Sequence, residues 1–111
     1  MKQLPVVYSD DARQDIDFIF AAVLEMSKST RTAERYVQQI EERCRNIGRL
    51  PFGGTLAEGL IEGLRTVTFR KRVAIAYIIE DEAVVILKLF YAGEDYQAIL
   101  RGERPDRWRF D

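Results

Sequence analysis

The sequence predicts an α+β domain in which an antiparallel helical hairpin packs on a three- to four-stranded antiparallel sheet, with a short C-terminal helix. Two observations predict it: two apolar stripes at helical spacing in the first half, and apolar runs joined by short charged turns in the second. The 111 residues, 47% of them hydrophobic, fit a single domain over residues 1–111. A core of that size needs no disulfide or metal.

The N-terminal segment predicts one strand and the first helix. Proline is tolerated where a strand starts, so Pro5 and the apolar residues after it predict a strand over residues 3–8. Ser9 then offers an N-cap, and two acids follow it, as suits a helix N-terminus. We predict helix 1 over residues 10–26 from its apolar stripe. That stripe is Ala12, Ile16, Ile19, Phe20, Val23 and Leu24.

A second amphipathic helix is predicted after a polar joint at residues 27–30. Thr30 or Thr32 can cap it, and Gly48 is expected to stop it. Its apolar stripe is Ala33, Tyr36, Val37, Ile40, Cys44 and Ile47. Because the joint is short, the two helices should form a hairpin whose stripes together cover one face of a sheet.

Residues 64–96 predict strand, basic turn, strand, acidic turn, strand and the start of a short helix at residues 95–101. The strand after the basic turn is apolar on both faces, which indicates a central strand. Strict alternation in residues 84–91 would place Val85, Leu87, Leu89 and Tyr91 on one face and the residues between them on the other. Residues 53–63 contain four glycines and predict a loop.

Composition excludes several classes of site. The chain has no histidine, the commonest general acid–base side chain and the commonest metal ligand. A net charge of −1 means that binding to nucleic acid would need a local basic patch. With a single cysteine and no signal-like or membrane-spanning apolar run, we expect a cytoplasmic protein without membrane contact.

Two further features could suggest chemistry but have simpler explanations. Helix 1 carries four acids, which helix capping and solvation explain better than a metal site. They are Asp10, Asp11, Asp15 and Asp17. Cys44 lies on the apolar stripe of helix 2, so we expect a buried, unreactive thiol. No metal and no cofactor are therefore expected.

An ordered set of motifs resembles the ParE/RelE superfamily of toxins from type II toxin–antitoxin systems, in its ParE-like, plasmid-stabilisation branch. The first of them is the acidic start of helix 1, at residues 9–16. The later ones are Leu50-Pro51-Phe52-Gly53, Gly63-Leu64-Arg65, Ile75-Ala76-Tyr77, Val84-Val85-Ile86-Leu87 and Phe90-Tyr91-Ala92-Gly93-Glu94-Asp95-Tyr96. The likeness extends to about Leu100. It implies the fold predicted above.

The resemblance also implies a cognate antitoxin and one of two targets. ParE-like toxins act on DNA gyrase, whereas RelE-like toxins cut messenger RNA on the ribosome. Here Phe69 falls where RelE has a sheet arginine, and Ala92-Gly93 where it has a basic pair. We therefore predict a gyrase inhibitor rather than an enzyme. The alternative is a ribosome-dependent endoribonuclease, and a third hypothesis is a non-toxic family member that acts only in a complex with its antitoxin. The oligomeric state could be a homodimer or a toxin–antitoxin hetero-oligomer.

Four cations near the first hairpin are the main candidates for target or phosphate contact. They are Arg65, Arg70, Lys71 and Arg72. Such groups bind phosphate and stabilise charge during its transfer, although a solvated turn that prevents edge pairing has the same composition. The resemblance favours Arg65, because an arginine after Gly-Leu recurs in the family. In the nuclease alternative, Arg65, Arg70 and Tyr91 would surround the scissile phosphate.

The C-terminal residues 104–110 combine arginines with aromatic side chains. Tyr96, Arg107 and Trp108 are further candidate target contacts, since these residue types dominate protein interfaces. The alternative is that the aromatic rings pack back on the domain.

Overall fold

The structure, a computed structural model, describes residues 3–57, 59 and 61–91. Its elements are β1 (Val6–Tyr8), α1 (Asp10–Ser27), α2 (Thr30–Arg49), a 3-10 turn (Pro51–Gly53), β2 (Thr55–Leu56), β3 (Arg65–Phe69), β4 (Val73–Glu80) and β5 (Ala83–Tyr91). The strands form one sheet in the order β1-β5-β4-β3-β2. The helical hairpin packs on one face of this sheet, which confirms the predicted α+β class. The predicted helix at 95–101 lies outside the described residues.

Serine side chains begin both helices. The Ser9 hydroxyl accepts the N–H of Ala12 at 3.0 Å, as predicted, and it also donates to the carbonyl of Leu87 at 2.9 Å. In α2 the cap is Ser29, whose hydroxyl accepts the N–H of Thr32 at 3.1 Å. The predicted caps, Thr30 and Thr32, are wrong because the helix already begins at Thr30, which makes the residue before it the cap.

Gly48 does not end α2, contrary to the sequence prediction. The helix continues to Arg49, and Gly48 is buried within it. A Cβ on Gly48 would overlap the carbonyl oxygen of Leu4, while the Leu4 N–H donates to the carbonyl of Gly48 at 2.9 Å. Glycine is needed here because the chain that enters β1 lies directly against the helix.

The sheet has five strands and is mixed, where three or four antiparallel strands were predicted. β1 runs parallel to β5, and the other pairs are antiparallel. The Val84 N–H donates to the carbonyl of Pro5 at 2.8 Å, which anchors the start of β1. β2 lies within the predicted loop 53–63, because two residues there pair with the start of β3.

A bulge in β5 changes which side chains face the helices. The register shifts between Ala76 and Tyr77, whose partners are Lys88 and Ile86, so Leu87 is the extra residue. The predicted alternation is therefore wrong for part of the strand. The helix-side core includes Val84, Ile86, Leu89 and, at its edge, Tyr91. The opposite face carries a smaller cluster of Leu64, Ala74, Ala76 and Phe90, so β4 is apolar on both faces, as predicted.

The acidic turn between β4 and β5 is strained, so a glycine in it should stabilise the protein. Asp81 and Glu82 form a two-residue connection with φ of 52° and 59°, a left-handed geometry that favours glycine. Glu82→Gly should raise the free energy of unfolding by about 1 kcal/mol in urea denaturation. The same substitution at Glu80, in β4, should lower it by about 0.5–1 kcal/mol, because a strand glycine adds only flexibility. Equal effects at the two positions would contradict the turn assignment.

Candidate functional site

Arg65 ties the segment after α2 to the sheet. Its Nη1 donates to the carbonyl oxygens of Phe52, at 3.2 Å, and Gly54, at 2.9 Å. Its guanidinium also lies over the Phe52 ring, with Cζ 5.3 Å from the ring centroid. The motif around Phe52 and the motif around Arg65, which are separate in the sequence, therefore contact each other in the structure.

Tyr77 holds the same segment from beneath. Its ring is fully buried, and its hydroxyl donates to the carbonyl of Pro51 at 2.7 Å and accepts the N–H of Gly54 at 3.1 Å. Burial raises the pKa of Tyr77, so the hydroxyl keeps its proton and remains a donor at neutral pH. From the sequence, Tyr77 was predicted only as an apolar residue of a central strand, and its spacing gave no indication that its hydroxyl bonds to the backbone of residues 51 and 54.

Three large apolar side chains on the segment fixed by Arg65 and Tyr77 remain exposed, and we call them the apolar corner. They are Leu50, Phe52 and Leu56, with exposed fractions of 65%, 70% and 49%. Leu56 is paired with Arg65 across β2 and β3, and Arg65 in turn stacks on Phe52. The backbone between Leu50 and Leu56 is thus held in place by Arg65 and Tyr77.

The basic turn, Arg70, Lys71 and Arg72, lies at the opposite end of β3. All three side chains are exposed. Arg70 and Lys71 have φ of 53° and 58°, and the Arg72 N–H closes the turn on the carbonyl of Phe69 at 3.0 Å. Two non-glycine residues in this left-handed conformation cost about 1–3 kcal/mol each, as they do in the acidic turn.

An aromatic pair supports the basic turn. The rings of Tyr36 and Phe69 meet edge to face, 5.4 Å between centroids. The Arg70 guanidinium lies 5.1 Å from the Phe69 centroid and 6.0 Å from that of Tyr36. The Tyr36 hydroxyl is buried and has no hydrogen-bond partner among the residues that the structure describes. Burial, and then the neighbouring Tyr91, raise the pKa of Tyr36, while the two arginines of the turn oppose this.

The two tyrosine hydroxyls should differ in their effects on stability. Tyr36→Phe removes a buried hydroxyl without a partner and keeps the ring on Phe69, so we expect the free energy of unfolding to rise by about 1 kcal/mol. Tyr77→Phe breaks two hydrogen bonds and should lower it by about 2 kcal/mol. Chemical denaturation at pH 7 measures both. A loss of stability in the Tyr36 variant would show that its hydroxyl is satisfied.

The four predicted cations do not form one cluster. Arg65 and Arg70 are at the two ends of β3, roughly 17 Å apart at about 3.3 Å per residue. Tyr91 pairs with Val73 and therefore lies at the end of the sheet that carries the basic turn. Arg65 is too far away to share a single phosphate with Arg70 and Tyr91. The remaining candidates, Tyr96, Arg107 and Trp108, lie outside the described residues.

Two of the acids on α1 have structural contacts that the sequence did not predict. Asp15 was expected to be solvated, but it is buried, and its Oδ2 accepts the N–H of Leu89 at 2.9 Å. Asp11 forms an ion pair with Lys88, 3.3 Å between Oδ2 and Nζ. Both contacts fasten α1 to β5 just after its bulge. Lys88, the one charged residue of β5, was a sequence signal for its ion pair with Asp11, whereas nothing in the sequence marks the contact of Asp15 with a backbone N–H.

The described residues show no group of three metal-binding side chains and no helix able to span a membrane. Cys44 is fully buried, as predicted. Burial raises the pKa of its thiol to about 11, so it stays protonated at neutral pH and is a poor nucleophile.

Comparison with models of known protein families identifies the family of this chain. A family model described as the ParE toxin of type II toxin–antitoxin systems, parDE, matches residues 6–96. The chain belongs to this toxin family. No curated protein shows significant similarity to it. The ParE-like branch named by the sequence motifs is confirmed.

Solved structures show the fold that this ParE-family chain shares. The chromosomal ParDE system of P. aeruginosa matches with a TM-score of 0.69 and 18% identity, over 81% of this chain and 97% of that one. The toxin–antitoxin complex RelBE2 of Mycobacterium tuberculosis gives 0.62 and 19%, over 81% and 99%. A mutant of the E. coli toxin RelE in the free state gives 0.61 and 9%, over 94% and 99%. At these identities the likeness concerns the fold alone.

Proposed function

We propose that this ParE-family toxin acts in the cytoplasm by binding DNA gyrase and that a cognate antitoxin neutralises it. The family match supports a toxin of the ParE type. Two of the similar structures are, by description, a ParDE system and a RelBE2 complex, each a toxin with its antitoxin. A stable protein partner is therefore the expected state of this chain as well.

The observation that carries the gyrase proposal is the position of Arg65. Its guanidinium is engaged by two backbone carbonyls and lies roughly 17 Å from the basic turn. Phe69, where RelE has an arginine, packs against Tyr36 in the core. In-line cleavage of RNA needs an acid, a base and cations around one phosphate, and Arg65 lies too far from Arg70 and Tyr91 to join them there. Binding to a protein target needs no such convergence.

The basic turn is the part of the described chain best suited to contact the target. Its cations Arg70, Lys71 and Arg72 are exposed, and the aromatic pair beneath them limits the motion of Arg70. A rigid arginine loses little entropy on binding and is a frequent interface hot spot. Tyr96, Arg107 and Trp108 are proposed as further target contacts.

One feature favours the alternative of a ribosome-dependent endoribonuclease. Arg70, Arg72 and Tyr91 meet at the same end of the sheet, which would place two cations and a phenol near a bound phosphate. In this alternative Arg65 does not contact the phosphate and only holds the segment after α2 against the sheet. Among the described residues, Tyr36 is not suited to act as the base, because burial raises the pKa of its hydroxyl.

Supercoiling by purified gyrase tests the proposal. The wild-type chain should inhibit supercoiling or accumulate cleaved DNA, and Arg70→Ala with Arg72→Ala should weaken this effect at least tenfold. Arg13→Ala with Arg31→Ala, which removes two exposed arginines of the helices, is the matched control and should act like the wild type. No effect on gyrase, together with transcript cleavage in a translating extract, would replace the proposal with the alternative.

A further inference from the structure

We propose that this toxin binds the phosphate backbone of duplex DNA, the substrate of gyrase, through cations that extend from the basic turn onto one flank of α2. We call these cations the basic strip, which consists of Arg35, Arg43, Arg70, Lys71 and Arg72. The inference rests on the proposed function, because it makes DNA, beside the gyrase protein itself, a part of what the toxin contacts.

The basic strip is continuous because α2 packs beside the end of β3. Arg35 and Arg43 are about two helical turns apart on one flank of α2, a distance of roughly 12 Å at about 1.5 Å per residue. The Arg43 Nε donates to the carbonyl of Thr68 at 3.2 Å, two residues before the basic turn. On the same side, the Arg70 guanidinium lies 6.0 Å from the ring centroid of Tyr36, which also belongs to α2. The helix flank and the turn therefore lie side by side.

The acids of α2 and of the acidic turn are directed away from the basic strip. Glu34 and Glu41, two turns apart, share the other flank of α2, where Glu41 lies close enough to Tyr8 of β1 to act on its hydroxyl. Glu42 forms an ion pair with Arg45. The acidic turn is at the far end of β4, roughly 23 Å from the basic turn at about 3.3 Å per residue. A chain of net charge −1 thus has a basic surface of the kind that nucleic-acid binding needs.

Two arginines of the strip are held in place before any ligand binds. Arg43 is tied to the carbonyl of Thr68, and Arg70 lies over the rings of Tyr36 and Phe69. Ordered guanidinium groups lose little entropy on binding and match phosphate oxygens in geometry. The strip is also long enough for several phosphates, because roughly 12 Å along α2 corresponds to three or four phosphates of one strand, at about 3.4 Å of helix axis each.

The surroundings of the strip favour a DNA backbone over a protein or a single-stranded nucleic acid. Protein interfaces combine arginines with exposed apolar anchors, but the large exposed apolar side chains of the described residues all lie outside residues 27–49 and 57–91. Single strands are bound by stacking their bases on free aromatic rings. The rings beside the strip, Tyr36 and Phe69, pack edge to face against each other and carry Arg70, so they are already engaged. Contact with phosphates alone needs neither feature.

The experiment measures binding of the full chain to a labelled duplex of about 20 base pairs by fluorescence anisotropy, at several salt concentrations. The full chain is used because Glu94 and Asp95, which follow β5 and lie outside the described residues, then contribute their charge as well. We expect a Kd of about 10 µM at about 50 mM salt, and a slope of log Ka against log salt of about −4, for four or five phosphate contacts.

Two double variants with the same loss of charge locate the contact. Arg35→Ala with Arg43→Ala should weaken binding by about tenfold and make the slope shallower by about 2, one unit for each lost phosphate contact. Arg13→Ala with Arg49→Ala, which removes two exposed arginines outside the strip, should stay within about twofold of the wild type and keep its slope. Circular dichroism and thermal melts confirm that each variant folds.

The outcomes separate the strip from the function on which it rests. If the wild type inhibits gyrase but does not bind the duplex, or if both double variants lose affinity equally, the inference is overturned and the gyrase proposal stands. If the duplex binds through the strip and gyrase is unaffected, the gyrase proposal fails and the DNA site remains. Tighter binding of a single-stranded RNA of the same length would overturn duplex DNA as the ligand. Loss of affinity and of slope in the strip variant alone supports the inference.

Discussion

Gly54→Ala should lower the free energy of unfolding by about 3 kcal/mol, the upper end of what overpacking a rigid site costs. An added Cβ would overlap the Tyr77 hydroxyl and would lie 3.0 Å from the carbonyl oxygen of Thr66. Neither group can yield, because the Tyr77 ring is fully buried and the Thr66 carbonyl belongs to the sheet. The change would also disturb the hydrogen bond from the Gly54 N–H to Tyr77.

The neighbouring glycine provides the control for this prediction. A Cβ on Gly53 would meet only the Cβ of Leu50, at 3.7 Å, an ordinary contact. Gly53→Ala should therefore change the free energy of unfolding by less than about 0.5 kcal/mol in the same urea titration. Similar losses in both variants would mean that the segment tolerates no side chain for general reasons and that Tyr77 does not fix it.

Asp15→Ala should lower the free energy of unfolding by about 2–3 kcal/mol. The substitution leaves the Leu89 N–H, which the Asp15 carboxylate accepts at 2.9 Å, without its partner in a buried position. A buried donor without an acceptor costs its full desolvation energy. Thermal denaturation should show a fall in Tm of roughly 10 °C, given about 4 °C per kcal/mol in a domain of this size.

Asp17 is the matched control for Asp15, since it lies one half-turn along α1 and is exposed. Asp17→Ala should leave Tm within about 2 °C of the wild type. An Asp15 variant as stable as the Asp17 variant would show that the helix and β5 are joined by their apolar contacts alone.

The helices were predictable because the signals for them are local. Helix 1 follows from Ser9 and one stripe of apolar residues, and both lie within the segment that folds. The misplaced cap of α2 is also a local error, since the hydroxyl residues Ser29, Thr30 and Thr32 lie within four positions and differ only in where the first turn would begin.

The details of the sheet were harder to predict because pairing is non-local. β1 is parallel to β5 through residues about 78 positions apart, as in the pairing of Val6 with Val84. The bulge at Leu87 leaves no mark in the sequence, because the residues on both sides of it are apolar or long enough to be buried either way. β2 is only two residues long and lies next to glycines, so composition suggested a loop.

The site was predictable in part. Arg65 stood out through its motif, yet its hydrogen bonds depend on carbonyls 11 and 13 residues upstream, which no spacing rule links to it. The basic turn was visible as a run of charge, whereas the positive φ angles and the unpaired hydroxyl of Tyr36 needed coordinates. The exposure of Phe52 was hidden for a similar reason, since a phenylalanine is by default expected inside.

The most direct test of gyrase as the target is one time course in living cells, in which the chain is induced while a DNA-damage reporter and the rate of protein synthesis are followed together. A gyrase-directed toxin should switch on the reporter while amino-acid incorporation continues. Cessation of protein synthesis before any rise in the reporter would contradict gyrase as the target and would indicate action on the ribosome.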